Sequence, residues 1–343
     1  MKSKRTKDYI FCLGIESTAH TFGCSVIQFD LINKNGKIIS ESRSVYKAPD
    51  GAGIHPREAS RHHLEKSPTI LRQVLMQSNL KPNEIDLISY SAGPGLGPCL
   101  RVGAVIARAL SSFYDIPLIP TNHALGHIEL GMMLTQCQDP LVLLVSGGHT
   151  MILAFLNKKW RVFGETLDIT IGQLLDQFGR YMGLASPCGN KIEKYASQSS
   201  KKYSQLPYIV KGNDVSFSGI LTATKKLLDN GYDKFNICYS LQETAFAMLT
   251  EVIERALSFT EKKEVLIVGG VSANNRLSNM LKIATKRQKA KLYTCPIHYS
   301  GDNGAQIAWT AICDNISSGK TIEVQNAFIK QSWRLDNVEV NWR

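Results

Sequence analysis

Long apolar segments are missing from this chain of 343 residues. Its apolar runs, such as 141–145 and 265–268, are far shorter than the roughly 20 residues that a membrane-spanning helix needs. The apolar stretch after the basic residues 1–7 ends at Ile15, and no small-residue cleavage site of a secretory signal follows it. These absences argue against a helical membrane protein and predict a cytoplasmic location.

Closely spaced cysteines are also missing. The eight cysteines are scattered, and no two have the C-x-x-C spacing of a zinc ribbon or a thioredoxin-like site, so we expect reduced thiols. Acidic residues are in the minority, with 29 Asp and Glu against 40 Lys and Arg, which gives a net charge of +11. The basic clusters within 2–7 and 282–291 are either solvated faces or contacts for a polyanionic partner.

Strands and helices alternate along the chain, which predicts an α/β fold. A strand, a loop of small residues and a second strand occur at 9–29 and again at 141–156, and we interpret this pattern as a distant duplication of two lobes. Asn35-Gly36 predicts a hairpin turn, and Ser67-Pro68 predicts a break in a helix that begins at Pro56. The predicted segments are a basic tail at 1–8, an N-terminal lobe at 9–121, a C-terminal lobe at 122–316 and a C-terminal segment at 317–343 that packs back on the lobes.

His123 and His127 are spaced four residues apart, so a helix would place both imidazoles on one face. That spacing suits a shared metal ion, and a pair of surface histidines is the alternative. Ala124 stands where a metalloprotease H-E-x-x-H motif has its glutamate, which excludes that motif. Asp302 is the best candidate for a third ligand, and its alternative role is an N-cap of the helix that follows.

Three glycine-rich loops follow strands, at 93–98, 146–148 and 269–270. None of them has the Gly-Lys-Ser/Thr of a P-loop, and each alone is explained by a tight turn. Together they indicate a nucleotide site, because glycine lets a backbone approach a ligand closely. Asp176 lies on a helix face with Gly172 and Gly179, which predicts a face open to a bulky ligand or, alternatively, a solvated face.

Several short motifs then occur in an order typical of one family: GIESTAHT at 14–21, GIHP at 53–56, GPGLGP at 93–98, NHALGH at 122–127, VSGG at 145–148, GETLD at 164–168, SFSG at 216–219 and GGVSANNR at 269–276. Over about residues 9–343 the chain resembles the universal tRNA threonylcarbamoyladenosine transferase family. It is most similar to the archaeal and eukaryotic catalytic subunit of the KEOPS complex.

The resemblance implies a two-lobed fold like that of actin, Hsp70 and sugar kinases, with duplicated lobes. It implies transfer of the threonylcarbamoyl group of threonylcarbamoyl-AMP to N6 of the adenosine beside the anticodon, in tRNAs that read ANN codons. It further implies one divalent metal, Fe(2+) or alternatively Zn(2+), on His123, His127 and Asp302. The residues implied to hold the donor are Leu144, Val145, Ser146, Gly147, Gly148, Asp176, Gly189, Glu193 and Asn274. The implied partners are tRNA and the KEOPS subunits: a small kinase or ATPase, a dimerising subunit and a regulatory subunit.

The chain departs from the family pattern at two positions. Leu144 stands where archaeal members often have a tyrosine that can bind the metal, and His149 stands where asparagine is common. We therefore expect three protein ligands, completed by water or donor oxygens. No residue is assigned as general base, although His20 and His55 are candidates.

Three other functions remain open at this point. A small-molecule kinase or ATPase of the same fold would use Mg-ATP and needs no histidine pair. A protease needs the missing H-E-x-x-H motif. A basic nucleic-acid scaffold explains the charge but leaves the histidine pair and Asp302 without a role.

Overall fold

The computed structural model describes residues 8–343 and divides them into two compact units. The first unit contains the described part of Met1–Tyr46 together with His55–Leu130 and Asp302–Arg343. The second unit contains Lys47–Ile54 and Gly131–Gly301. Apart from Asp8, the basic tail predicted at 1–8 lies outside the described residues.

The strands and helices alternate as the sequence predicts. In chain order they are β1 (Tyr9–Glu16), β2 (Thr21–Asp30), β3 (Asn35–Val45), α1 (Pro56–Ser78), β4 (Leu87–Gly93), α2 (Gly97–Tyr114), β5 (Leu118–Asn122), α3 (His123–Thr135), β6 (Leu141–Val145), β7 (Thr150–Leu156), β8 (Lys159–Glu165), α4 (Ile171–Tyr181), α5 (Gly189–Ser197), β9 (Val210–Lys211), β10 (Asp214–Val215), α6 (Ser218–Asp229), α7 (Lys234–Thr260), β11 (Glu264–Val268), α8 (Asn275–Arg287), β12 (Lys291–Thr294), α9 (Ile297–Ser300) and α10 (Gly304–Ser318).

Each unit is built on a five-stranded mixed sheet, and the two sheets have the same topology. The first sheet has the order β3-β2-β1-β4-β5, and the second has the order β8-β7-β6-β11-β12. Counted in chain order, the strands of the two sheets pair in the same way. The first strand pairs antiparallel with the second and parallel with the fourth. The second also pairs antiparallel with the third, and the fourth pairs parallel with the fifth. The repeated topology confirms the duplication inferred from the sequence.

The central strands form the core of each unit. Strands β4 and β6 are buried along their whole length, as expected for strands covered on both faces. On the first sheet α10 packs against β1 and β2. A Cβ on Gly14 of β1 would lie 2.2 Å from the carbonyl oxygen of Gly304, so backbone meets backbone at this crossing. Glycine at this position therefore sets how closely α10 lies over the sheet.

Two local predictions were wrong. The first hairpin turns at residues 31–34, and Asn35 pairs with Asp30 inside the ladder. Gly36 also lies in β3, paired with Phe29, and a Cβ there would come within 2.3 Å of the Trp309 ring, so this strand position requires glycine. Helix α1 continues through Pro68. Proline removes the hydrogen bond to the carbonyl of Leu64, and the Ser67 hydroxyl donates to that oxygen instead, at 3.2 Å.

The C-terminal segment packs on the first unit. Ile322 forms a bridge with Leu118, and the backbone N–H of Lys330 donates to the carbonyl of Ala92 at 2.7 Å. Residues 302–316 also belong to the first unit, because α10 covers β1 and β2, whereas the sequence division groups them with the C-terminal lobe. The predicted lobe boundaries stay a prediction.

Among residues 8–343, no helix is both long and apolar enough to cross a membrane.

Candidate functional site

The histidine pair lies at the start of α3, where β5 ends. The side-chain oxygen of Asn122 accepts from the backbone N–H of Leu125 at 3.1 Å, which satisfies a free donor of the first helical turn. Both imidazoles are buried, and their rings meet edge to face with centroids 4.7 Å apart. The predicted helix is confirmed, and the alternative of two surface histidines is wrong.

Asp302 reaches this pair from the loop before α10. The N-cap of α10 is Asn303, whose side-chain oxygen accepts from the backbone N–H of Gln306 at 3.1 Å, so Asp302 is not the N-cap. Its Oδ1 lies 3.3 Å from Nε2 of His127 and 3.6 Å from Nε2 of His123. The ligand atoms of the three residues all lie within 4.8 Å of one another.

The arrangement fits a divalent metal ion. Bonds of about 2.0–2.2 Å place two ligand atoms of one ion about 3.0–3.6 Å apart, and both histidine–aspartate separations agree with this range. Two imidazoles and one carboxylate form a donor set used for Zn(2+) and for non-haem Fe(2+). The three side chains could therefore hold a metal ion, and their geometry does not distinguish between the two.

The electrostatics of the cluster favour a cation. Burial lowers the pKa of His123, but the charges of Glu16 and Asp302 outweigh burial and raise that pKa to about 9. Burial lowers the pKa of His127. Burial opposes ionisation of Asp302, yet the charge of His123 and the hydrogen bond with His127 hold the pKa of that carboxyl well below its usual range. Without metal, the cluster at neutral pH contains a cationic His123, a neutral His127 and an ionised Asp302.

Sequence reasoning did not assign a role to Glu16 or Gln306. Glu16 ends β1, is fully buried, and places Oε2 2.9 Å from Nδ1 of His123. Gln306 lies one turn after Asp302 and is also fully buried, with its amide nitrogen 3.4 Å from the same carboxylate oxygen. A carboxylate that directly follows an apolar strand was the available signal for Glu16, because such a residue is rarely buried without a partner.

Three other histidines of the first unit have different surroundings. Nδ1 of His20 lies 4.0 Å from Oδ2 of Asp302, whereas His55 is the exposed N-cap residue of α1. Burial lowers the pKa of His63 to about 4, and its Nε2 donates to the carbonyl of Ala19 at 3.0 Å. Of the two general-base candidates, only His20 is close to the cluster of His123, His127 and Asp302.

The stretch 144–148 lies in the second unit, at the end of β6. Leu144 and Val145 are fully buried, so their side chains belong to the core. The Ser146 hydroxyl accepts from the backbone N–H of Gly148 at 3.2 Å. Gly147 and Gly148 are exposed, and a Cβ on either would meet no atom within 4 Å. This loop therefore presents an open backbone surface that a ligand can approach.

The face of α4 around Asp176 is occupied by the chain itself. A Cβ on Gly172 would lie 2.4 Å from the carbonyl oxygen of Ser146, and one on Gly179 would lie 2.3 Å from the Cβ of Cys188. The prediction that these glycines open the face to a ligand was wrong, because neighbouring loops fill the space. Asp176 accepts from the Ser186 hydroxyl and from the backbone N–H of Cys188, both at 2.6 Å, and so fixes the loop that leads into α5.

The other residues predicted to bind the threonylcarbamoyl donor lie at the starts of α5 and α8. Asn274 is buried and is the N-cap of α8, where its side-chain oxygen accepts from two backbone N–H groups while its amide donates to Gln242 at 2.8 Å. Glu193 of α5 accepts from the backbone N–H of Asn275 at 2.8 Å. Gly189 is the first residue of α5. These residues fix the N-termini of α5 and α8, and helix N-termini attract anions.

A family model described as TsaD, tRNA N6-adenosine threonylcarbamoyltransferase, matches residues 37–309. The chain belongs to this transferase family. The family includes the tRNA N6-adenosine threonylcarbamoyltransferase of Caldivirga maquilingensis, which is 43% identical over 330 residues, or 96% of this chain and 97% of that protein. The transferase of the same name from Staphylothermus marinus is 45% identical and is covered over 99% of its length.

Another relative is longer than this chain. The probable bifunctional tRNA threonylcarbamoyladenosine biosynthesis protein of Methanocaldococcus jannaschii is 47% identical over 333 residues, which is 97% of this chain but 60% of that protein. Among solved structures, the crystal structure of T. kodakarensis HypF is similar with a TM-score of 0.59 at 13% identity, over 91% of this chain and 48% of that chain. With the family match, this likeness confirms the α/β fold class of the actin, Hsp70 and sugar-kinase type.

Proposed function

We propose that this chain transfers the threonylcarbamoyl group from threonylcarbamoyl-AMP to N6 of the adenosine beside the anticodon in tRNAs that read ANN codons, releasing AMP. The observation that carries the proposal is the convergence of His123, His127 and Asp302 in a chain of the transferase family. The family match favours this reaction over the kinase alternative.

The proposed metal is one divalent ion per chain, Fe(2+), with Zn(2+) as the alternative. His123 and His127 would supply Nε2 atoms and Asp302 a carboxylate oxygen, with the other positions left for water or donor oxygens. When bound, the ion would act as a Lewis acid that stabilises charge on the donor carbonyl and phosphate.

The residues of the chain would mainly bind and orient the donor. Threonylcarbamoyl-AMP is a mixed anhydride and is already activated, so the amine can attack it directly and no serine or cysteine nucleophile is needed. The exposed backbone at Gly147 and Gly148 and the N-termini of α5 and α8 are suited to a nucleotide phosphate. Asp176, Glu193 and Asn274 would keep these elements in place, and orientation of this kind contributes directly to rate.

The proposed partners are tRNA and the KEOPS subunits: a small kinase or ATPase, a dimerising subunit and a regulatory subunit. The name of the longer relatives, bifunctional tRNA threonylcarbamoyladenosine biosynthesis protein, supports assembly with a second activity. A separate synthase would supply threonylcarbamoyl-AMP. The cytoplasmic location stays a prediction.

Metal analysis combined with a tRNA-modification assay tests the proposal. Purified chain with its partner subunits, threonylcarbamoyl-AMP and an ANN-reading tRNA should form the modified nucleoside and release AMP. His127→Ala should lose both bound metal and transfer, while His298→Ala, a matched change of an exposed histidine outside the site, should retain both. Full transfer by metal-free His127→Ala would contradict the metal-assisted reaction and favour a scaffold role.

A further inference from the structure

Glu16 is a fully buried carboxylate in direct contact with the candidate metal centre. It is the last residue of β1, and its Oε2 lies 2.9 Å from Nδ1 of His123, on the side of the ring away from Asp302. We infer that Glu16 is a positioning residue that holds the Nδ1 proton of His123 and thereby keeps Nε2 free to bind metal. The inference rests on the metal centre of the proposed function and extends it to a residue that does not touch the ion.

The partners of Glu16 show where the proton lies. Its Oε1 accepts from the backbone N–H and the hydroxyl of Thr18, both at 2.6 Å. Its Oε2 lies 2.9 Å from Nδ1 of His123 and 3.4 Å from the amide nitrogen of Gln306, which itself lies 3.0 Å from Nδ1. The Thr18 and Gln306 groups are donors, and a carboxylate has only acceptors. Without a proton on Nδ1, two acceptors would face each other 2.9 Å apart in a fully buried site, so the proton between them belongs to Nδ1.

The same contacts explain why glutamine could not replace this glutamate. An amide has one acceptor end and one donor end. If its NH₂ group faced Thr18, two donors would meet in a fully buried site, which is costly. If its NH₂ group faced His123, Nδ1 would have to accept, and the ring proton would move to Nε2, the atom that must ligate the metal.

A buried carboxylate of this kind has a known general effect on metal sites. A partner that receives the second ring N–H of a metal-binding histidine fixes the tautomer and the ring orientation, and its loss weakens metal binding by about 10–100-fold. The effect should be near the upper end here, because Glu16 has no solvent exposure and water cannot replace it.

Zinc affinity of metal-free protein, measured by competition with a chromophoric chelator, tests the inference. Glu16→Gln should bind Zn(2+) about 10–100-fold more weakly than the wild type. The matched control is Glu129→Gln, which neutralises another buried glutamate of the same unit, one that accepts from Trp342 and Arg343 and has no contact with His123. It should keep wild-type zinc affinity. Equal affinities of the wild type and a folded Glu16→Gln protein would overturn the inference.

A second measurement does not depend on folding of the variant. In the zinc-loaded wild type, ¹⁵N NMR of the imidazoles should show His123 protonated at Nδ1 and bound to metal through Nε2. Ligation through Nδ1 would overturn the inference. If the wild type bound no zinc, the metal centre itself would be wrong, and the inference would fail with it. If the wild type bound zinc and modified tRNA while Glu16→Gln bound zinc equally well, only the inference would fail.

Discussion

The crossing of α10 over β1 predicts that a single methyl group on Gly14 can disturb the candidate metal site from a distance. In Gly14→Ala, the new Cβ would lie 2.2 Å from the carbonyl oxygen of Gly304 and 2.4 Å from the backbone nitrogen of Ala308. Ordinary contact begins at 3.4 Å. Both atoms belong to the backbone, so no side-chain rotation relieves the overlap. The start of α10 must therefore move by about 1.2 Å, the difference between the 2.2 Å approach and the 3.4 Å contact distance.

The displacement acts on Asp302, two residues before α10 begins. A displacement of that size directly away from His127 would take its Oδ1 from 3.3 Å to about 4.5 Å from Nε2, outside the range of about 3.0–3.6 Å in which both histidine–aspartate separations now lie. Overpacking of this kind costs about 1–3 kcal/mol in folding free energy. If part of that strain is relieved by giving up the metal geometry, zinc affinity should fall by roughly tenfold or more.

Urea denaturation and chelator competition measure the two effects. Gly14→Ala should lower the urea midpoint and the zinc affinity together. Gly270→Ala is the control, since Gly270 is exposed and a Cβ there would meet no atom within 4 Å. The reasoning is refuted if Gly14→Ala matches the control in both stability and zinc affinity.

Three further predictions concern charge and burial. Because the pKa of His123 is raised to about 9, metal must displace a proton, so zinc affinity should rise about tenfold per pH unit from pH 7 to 9 in chelator titrations; a flat profile would contradict this. His63 has a folded pKa of about 4, below its ordinary value of 6.5, so urea midpoints should fall as the pH drops through this window, and less so in His63→Asn. Glu129→Ala removes the buried acceptor of Trp342 and Arg343 and should cost about 1–3 kcal/mol of folding free energy, which a urea midpoint equal to that of the wild type would disprove.

Local patterns in the sequence are sufficient to predict several strands and helices of this protein and the pairing of its two histidines. The apolar run at 141–145 became β6 with the same bounds, and the four-residue spacing of His123 and His127 placed both rings together, because strand and helix periodicity act between near neighbours. The repeated order of strands and small-residue loops indicated the duplication. The predicted helix break at Pro68 was wrong because another group replaced the missing hydrogen-bond donor. The Ser67 hydroxyl donates to the carbonyl of Leu64, which the backbone N–H at position 68 would otherwise reach.

The tertiary structure decided which distant groups share the site. Asp302 and His127 are 175 positions apart, and Glu16 and His123 are 107 positions apart. Their contacts depend on α10 lying against β1 at Gly14 and against α3 at Gly126, and sequence spacing does not encode such a crossing. The exclusion of water around Glu16 also exists only after packing. The sequence by itself therefore named the three residues of the candidate metal site, and the fold placed the Glu16 carboxylate beside one of them.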